Sequence, residues 1–344
     1  MGPQGVQFDR RFMLFEIRQP SGDLKKIQLD SYPQCALFSQ QLLSSPGSDR
    51  PINIRVSYNK PKDSDGDTAD AAPLEVPLEP DISSLDKVSV ALHRSETPAY
   101  RMGDTHDAWF SACFGLPVML VYIGDGRRAV LGTSMLPPTQ TQAGQESGQK
   151  TGWFSSVTSY LPTISAAPKS QGIHNDPWIT FADVAPFLIT SESSLREVNS
   201  RLPVDEPMPM YKFRPNIVLD GAGEDAWAED FWAELAVAPS PGGDGNEKLK
   251  LHLTGNCGRC TSLNVDYATG KPAVGELGSV LKKLMADRRV DAGSRWSPVF
   301  GRYAFLGNDD GGNGGDGLVC LKVGDEVAVT KRNSERSVWD WPLK

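Results

Sequence analysis

Short strand-like segments recur along the chain, and only a few segments with helical periodicity separate them. Residues 10–17, 52–58 and Asp86–Leu92 carry alternating or continuous apolar residues over the length of a strand. Residues 213–221 and Val299–Leu306 repeat the pattern later in the chain. This order favours a mostly-β α+β fold with a β-barrel-like core and helical decoration over alternating βαβ units.

Three segments are predicted to be helices: residues 104–115, 191–202 and 275–289. Gly115 can end the first of them, and Ser191 is a favourable N-cap for the second. All three are short, so they decorate the strands rather than form a bundle.

Other segments are harder to assign. Residues 35–43 are expected to be helical or loop, and residues 60–80, rich in Pro, Asp and Ala, a loop. Residues 318–332 are predicted to be a terminal pair of strands. Residues 127–175 are rich in Ser, Thr, Gln, Gly and Pro with little periodicity, which predicts a partly disordered insertion.

Length and charge restrict the class of protein. The 344 residues are more than one ordinary core needs, so two domains are expected. The net charge of -8 disfavours nucleic-acid binding and polybasic membrane-surface proteins, although one basic cleft remains possible. No apolar run approaches the roughly 20 residues that span a bilayer, and five cysteines without a secretory signal predict free thiols in a reducing compartment.

The segment 254–270 carries a CxxC pair, Cys257 and Cys260, with Arg259 between them. Half of a zinc site is disfavoured because no second CxxC or His pair follows. A thioredoxin-type pair needs a strand-to-helix junction, whereas strand-like sequence follows here. Two interpretations stay open: small buried residues, or one metal-binding thiolate favoured by the neighbouring cation.

Five segments occur in an order that resembles one known family. They are residues 181–202, 213–221, 229–235, 254–266 and 297–306. Together they resemble the MOSC domain, the C-terminal module of molybdenum cofactor sulfurases. The similarity is greatest to proteins of the mitochondrial amidoxime reducing component type, fungal ones included.

The resemblance also implies a division of the chain. Residues 1–130 would form the β-barrel-like domain that precedes MOSC in those proteins, and residues 131–178 an insertion or linker. Residues 179–335 would form the MOSC domain. The first strand of the preceding domain in that family has no counterpart before "GVQFDRRFML". The pocket for the cofactor's phosphate is therefore expected to be incomplete, and one sheet edge unpaired.

Carried over residue by residue, the resemblance implies a molybdenum cofactor (Mo-molybdopterin) ligated by Cys260. Asp183 corresponds to an acid near the metal that orients a water or relays a proton. Cys257 would then be a packing residue. Glu229, Asp230 and Trp232 are expected to be structural; they do not belong to the implied site.

Four further residues correspond to cofactor contacts. Arg214 and Asn216 would hydrogen-bond the pterin, because a guanidinium and an amide suit its planar polar edge. Arg259 would contact the cofactor beside the ligand. Arg11 would hold the phosphate, and its neighbour Arg10 is expected to be a surface charge.

The activity that the resemblance implies is the two-electron reduction of N-hydroxylated small molecules. Electrons would come from cytochrome b5 and NADH-cytochrome b5 reductase, and the implied location is mitochondrial, at the outer membrane, or otherwise cytoplasmic. A cofactor carrier or sulfur-transfer module is the alternative, although the sequence lacks the large pyridoxal phosphate domain of the sulfurases. A relative that no longer binds cofactor is the third hypothesis.

Overall fold

The structure is a computed structural model that describes residues 1–45, 47–61, 71–137, 177–221, 223–238, 249–307 and 319–342. Its strands are β1 (Phe12–Ile17), β2 (Leu24–Lys26), β3 (Phe38–Ser44), β4 (Pro51–Tyr58), β5 (Leu74–Pro77), β6 (Asp86–Leu92), β7 (Ser95–Arg101), β8 (Val118–Tyr122), β9 (Arg128–Ala129), β10 (Trp178–Ile179), β11 (Phe187–Ser191), β12 (Ile217–Leu219), β13 (Trp232–Val237), β14 (Leu249–Gly258), β15 (Val265–Asp266), β16 (Lys271–Pro272), β17 (Val299–Leu306) and β18 (Val327–Arg332). Its α-helices are α1 (Asp104–Phe114), α2 (Glu192–Asn199) and α3 (Val280–Met285).

The first part of the chain forms two sheets. One has five strands in the order β2-β1-β8-β7-β6, and the other has three in the order β3-β4-β5. Helix α1 lies between them, and its Phe110 and Phe114 are buried against Phe38 of β3. Gly115 adopts a left-handed conformation with φ of 69° and ends α1, as predicted.

The later strands form a six-stranded sheet in the order β12-β11-β17-β14-β13-β18. Strands β14 and β17 are antiparallel, and their register shifts between Leu253 and Gly255 and again between Asn256 and Gly258. Such irregularities bend a strand and redirect its side chains. They occur where β14 delivers the cysteine pair. The short strands β9 and β10 pair antiparallel and join the two parts of the chain.

The predicted fold class is confirmed, because strands dominate and the α-helices are few and short. Among the described residues, no helix is both long enough and apolar enough to cross a lipid bilayer.

Several local predictions were wrong. Residues 35–43 are a 3₁₀ turn followed by β3, whose polar side chains face solvent and hide the strand in the sequence. Part of the loop predicted at 60–80 is strand β5, which pairs with β4. Residues 319–332 hold one strand, β18, instead of two. Residues 138–176 of the predicted insertion lie outside the described part of the chain.

Glu229 is a fully buried carboxyl group beneath the six-stranded sheet. Its Oε2 accepts a hydrogen bond from Ser194 Oγ at 2.7 Å. Burial raises the pKa of Glu229 from 4.5 to about 7, which outweighs the lowering effect of that hydrogen bond. Glu229 therefore makes stability depend on pH.

We expect Glu229→Gln to reduce the dependence of the free energy of unfolding on pH. A raised folded-state pKa means that the carboxyl group stabilises the fold fully below about pH 4.5 and loses this contribution as pH rises through about 7. The free energy of unfolding of the wild-type protein should fall by on the order of 3 kcal/mol over that window. Urea unfolding across the window measures it. The exposed Glu206→Gln is the control, and an unchanged pH slope in Glu229→Gln would contradict the assignment.

Candidate functional site

A cavity of about 450 Å³ lies between the two parts of the chain. Its wall is strongly basic. Six cationic side chains face two carboxylates: Arg10, Lys26, Arg94, Lys212, Arg214 and Arg259 against Asp30 and Asp183. This excess of positive charge occurs in a chain whose net charge is -8. Charge of one sign in a concave site attracts ligands of the opposite sign, so the cavity suits an anion.

The two cysteines of the CxxC pair have different surroundings, and both are free thiols. Cys257 is buried in β14, and burial raises its pKa although Arg259 opposes the shift. Cys260 follows the strand, is exposed, and precedes a 3₁₀ helix at Thr261–Asn264. Its Sγ lies 3.1 Å from Ser262 Oγ. Cys260 is therefore the thiol that a ligand in the cavity can reach.

Arg259 lines the cavity but bonds to Cys257 instead of Cys260. Its Nη1 donates to Cys257 Sγ at 3.1 Å, and its Nη2 donates to the Phe213 carbonyl at 2.5 Å. The guanidinium also lies 5.2 Å from the centroid of the Phe213 ring and 5.8 Å from that of Phe300. Arg259 therefore fixes the loop that carries Cys260.

Arg214 and Asn216 both line the cavity, but in different ways. Arg214 ends a 3₁₀ helix in a left-handed conformation, with φ of 55°. No hydrogen bond of its guanidinium to another described residue occurs, which leaves its donors available. The amide of Asn216 accepts from Leu188 N at 2.9 Å and donates to Asp9 Oδ2 at 3.0 Å, so it also ties three segments together.

Arg11 does not join the other predicted site residues. Its Nη2 donates to the Gly124 carbonyl at 3.0 Å and to Tyr122 Oη at 3.3 Å, in a second cavity of about 170 Å³. Arg10, expected to be a surface charge, lines the large cavity instead. Arg10 has a positive φ of 52°, and this turn sends the two neighbouring side chains to different places.

Asp183 lies at the cavity wall with 52% of its side chain exposed. Its Oδ1 is 3.2 Å from His93 Nε2, and Lys26 Nζ is 3.4 Å from His93 Nδ1. Desolvation alone would raise the pKa of Asp183. The hydrogen bond with His93 and the nearby cations Arg214 and Arg10 outweigh it and hold the pKa well below its ordinary value. Asp183 is therefore an ionised acceptor at the end of a chain of three polar groups.

His93 and Arg94 form the two-residue turn between β6 and β7. Their φ angles are 50° and 67°, which two-residue hairpin turns normally assign to Asn or Gly. Side chains larger than those strain such a turn by about 1 kcal/mol each. Both side chains face the cavity. Sequence analysis missed His93, because nothing in the chain links it to a carboxylate 90 positions away.

A buried guanidinium holds this arrangement in place. Arg128 is fully buried, and its Nη1 donates to the carbonyls of Thr180 and Ala182 at 2.9 and 2.5 Å. Its Nη2 donates to the carbonyl of Leu92 at 2.7 Å and to that of Asp183 at 3.4 Å. Arg128 thereby joins the end of β6 to the segment that carries Asp183.

The described residues contain no group of three or more His, Cys, Asp or Glu side chains that could hold a metal ion. A metal ion that is bound by one protein thiolate and otherwise by a cofactor would not need such a group of side chains.

Comparison with known families gives the class of the protein. Residues 176–328 match the MOSC domain. Residues 176–328 are therefore a MOSC domain, and the resemblance recognised in the sequence is confirmed for this segment.

The relatives are more specific. Over 153 residues the chain is 37% identical to mitochondrial amidoxime-reducing component 1 of Homo sapiens, a match that covers 43% of this chain and 38% of that protein. Identity to mitochondrial amidoxime reducing component 2 of Homo sapiens is 34%, with the same coverage. The component 1 protein of Danio rerio is 31% identical over 128 residues. The matched segment thus spans well under half of these relatives.

We expect Arg128→Met to destabilise the fold by on the order of 3 kcal/mol, because several buried carbonyls lose a charged donor at once. The neighbouring Arg127, which is exposed and lies over the ring of Trp178, provides the control. Arg127→Met should change stability by less than about 1 kcal/mol. Denaturant unfolding of both variants is the measurement, and equal losses would contradict the role given to Arg128.

Proposed function

We propose that this chain is a molybdenum-cofactor-dependent oxidoreductase that reduces N-hydroxylated compounds. The observation that supports it most is the exposed thiol of Cys260 in the wall of a strongly basic cavity. The MOSC domain and the names of the relatives support the same class.

The side chains around the cavity fit a molybdenum cofactor. A thiolate is a soft ligand that suits a redox-active metal, and Cys260 is the reachable thiol. The cofactor's phosphate calls for cations, and its pterin edge calls for hydrogen-bonding groups. Arg214, Arg259 and Asn216 supply these from one side. Of the two neighbouring arginines, Arg10 and Arg11, Arg10 lines this cavity. Arg10 therefore takes the role that was expected of Arg11.

When bound, such a cofactor supplies two-electron redox chemistry at its metal. The residues of the chain supply position and protons. Reduction of an N–OH group to N–H breaks the N–O bond, takes up two electrons and two protons, and releases water. The ionised carboxylate of Asp183 can accept a hydrogen bond from His93 Nε2 and orient the ring, and His93 can deliver a proton to the leaving oxygen. Lys26, next to His93 Nδ1, links this pair to a further donor.

Other properties rest only on the family resemblance and belong to the same proposal. Cytochrome b5 and NADH-cytochrome b5 reductase would supply the electrons, and the location would be mitochondrial. The division into residues 1–130, 131–178 and 179–335 is retained as a proposal; in the described residues, β1–β8 and β11–β18 share no sheet.

Cys260→Ser should abolish retention of molybdenum, because an alcohol is a poor ligand for a soft metal. The measurement is the molar ratio of molybdenum to protein after reconstitution and gel filtration. Cys320→Ser removes an exposed thiol that does not line the cavity and should keep the wild-type ratio. Full retention by Cys260→Ser would refute the ligand assignment. A persulfide on Cys260 in a metal-free protein would favour sulfur transfer instead.

His93→Gln should lower kcat for benzamidoxime by about 100-fold, since general acid catalysis contributes that order of magnitude. Gln keeps a hydrogen bond to Asp183 but cannot give a proton to the substrate, so kcat should fall while KM changes little. Molybdenum content should stay at the wild-type level. His106→Gln, which changes a histidine that does not line the cavity, is the control. A wild-type kcat in His93→Gln would exclude the proton-transfer role.

A further inference from the structure

Residues 333–342, which we call the strap, follow the last strand and lie beyond the segment matched to the MOSC domain, which ends at residue 328. The strap returns across the cavity, where Trp339, Trp341 and Pro342 form part of the wall. Trp341 is only 4% exposed. A region outside the matched domain thus completes the site.

Specific hydrogen bonds fix the strap. Asp340 accepts from Thr133 Oγ1 at 2.6 Å and from the backbone and side chain of Ser134 at 2.8 and 2.7 Å. The backbone N of Trp339 donates to Asp291 Oδ1 at 2.9 Å. Because hydrogen bonds fix the backbone of Trp339 and the side chain of the next residue, Asp340, the ring of Trp339 is held in position.

Deeper in the strap, Ser337 bonds to the six-stranded sheet. Its carbonyl accepts from Asn256 Nδ2 at 2.8 Å, and its Oγ accepts from Arg302 Nη2 at 2.7 Å. Asn256 directly precedes Cys257 in the chain. The strap is therefore anchored to the strand that leads to the CxxC pair.

The aromatic rings form one continuous wall. The centroids of Tyr303 and Trp339 are 6.4 Å apart, and those of Trp339 and Trp341 are 6.5 Å apart. Trp341 Nε1 donates to the His93 carbonyl at 2.8 Å, which places this wall against the turn that presents His93 to Asp183. The wall is thus next to the groups proposed to transfer protons. The basic residues that suit an anionic cofactor come from other segments.

We propose that Trp339 and Trp341 determine substrate specificity by selecting N-hydroxylated compounds that carry a planar aromatic ring. Rings that stack on aromatic side chains or meet them edge-on gain interaction energy beyond the burial of their apolar area. An aliphatic N-hydroxylated compound gains less from the same wall. This proposal rests on the proposed reductase function for its catalytic test, but the binding test below does not.

The catalytic test compares benzamidoxime with acetamidoxime on the molybdenum-loaded full chain. Trp339→Ala should lower the ratio of kcat/KM for the aromatic over the aliphatic substrate by about tenfold, mostly through KM for benzamidoxime. Trp339→Phe keeps a ring and should keep most of the ratio. Its indole Nε1 bonds to no described residue, so the loss of that nitrogen removes no hydrogen bond seen in the structure.

The binding test uses benzamidoxime, which is uncharged at neutral pH and is not turned over without an electron donor, in calorimetric titration of both metal-free and loaded protein. Its Kd should rise about tenfold in Trp339→Ala and in Trp341→Ala. Trp339→Leu keeps apolar bulk without a ring and should behave like the Ala variant, which guards against an effect of misfolding. Trp296→Ala, an exposed tryptophan that does not line the cavity, is the matched control.

Distinct outcomes separate the proposals. Unchanged selectivity and unchanged benzamidoxime affinity in both Ala variants would overturn the specificity role. So would loss of molybdenum from them, because the wall would then pack against the cofactor. If the wild-type protein reduces neither substrate, the proposed function fails, while weaker benzamidoxime binding to the variants would still support the aromatic wall.

Discussion

The guanidinium of Arg128 is the contact on which the geometry of the cavity depends most. One buried cation binds backbone carbonyls from β6 and from the segment before β11, two stretches far apart in the chain. Burial lowers the pKa of Arg128 to about 10, so it stays charged at neutral pH. Because its partners include the carbonyls of Leu92 and Asp183, the same bonds set the spacing between His93 and the Asp183 carboxylate. The buried guanidinium of Arg128 thus determines the distance between His93 and Asp183 in the site.

A second buried guanidinium, that of Arg302, fixes the backbone next to the CxxC pair. Arg302 of β17 donates to the Asp230 carbonyl at 2.7 Å, to Asn256 Oδ1 at 3.0 Å and to Ser337. Asp230 in turn pairs with Arg288 at 2.7 and 2.9 Å. Buried charges cost free energy unless they are fully paired, so such a network tolerates few alternative arrangements. It fixes the end of β14 and the strap relative to each other.

The sequence predicts those parts of the molecule that depend on local pattern. Strand periodicity is local, and so is the spacing of the CxxC motif, whereas the choice of Cys260 within that motif came from the family resemblance. Prediction from the sequence fails where the position of a side chain depends on a backbone turn or on packing between distant segments. The sequence favoured Arg11 over Arg10 as the residue that holds the phosphate. The left-handed backbone of Arg10, which directs the two neighbouring side chains to different places, is not visible in the sequence. His93 and Trp339 carry no motif at all. They become part of the cavity only because strained or anchored backbone brings them there.

The charge of the cavity has a physical consequence for the protein without ligand. Six cations close together repel one another, and two carboxylates compensate only part of that repulsion. The same positive charge acts on Asp183, because Arg214 and Arg10, together with the His93 hydrogen bond, hold the pKa of its carboxyl group below the usual range despite desolvation. An anion that enters the cavity relieves the repulsion, and any ligand that binds only the folded state stabilises it by mass action. Binding of the proposed cofactor and folding stability should therefore be coupled through the same residues, and the proposed bond to Cys260 would add to the attraction that the arginines provide.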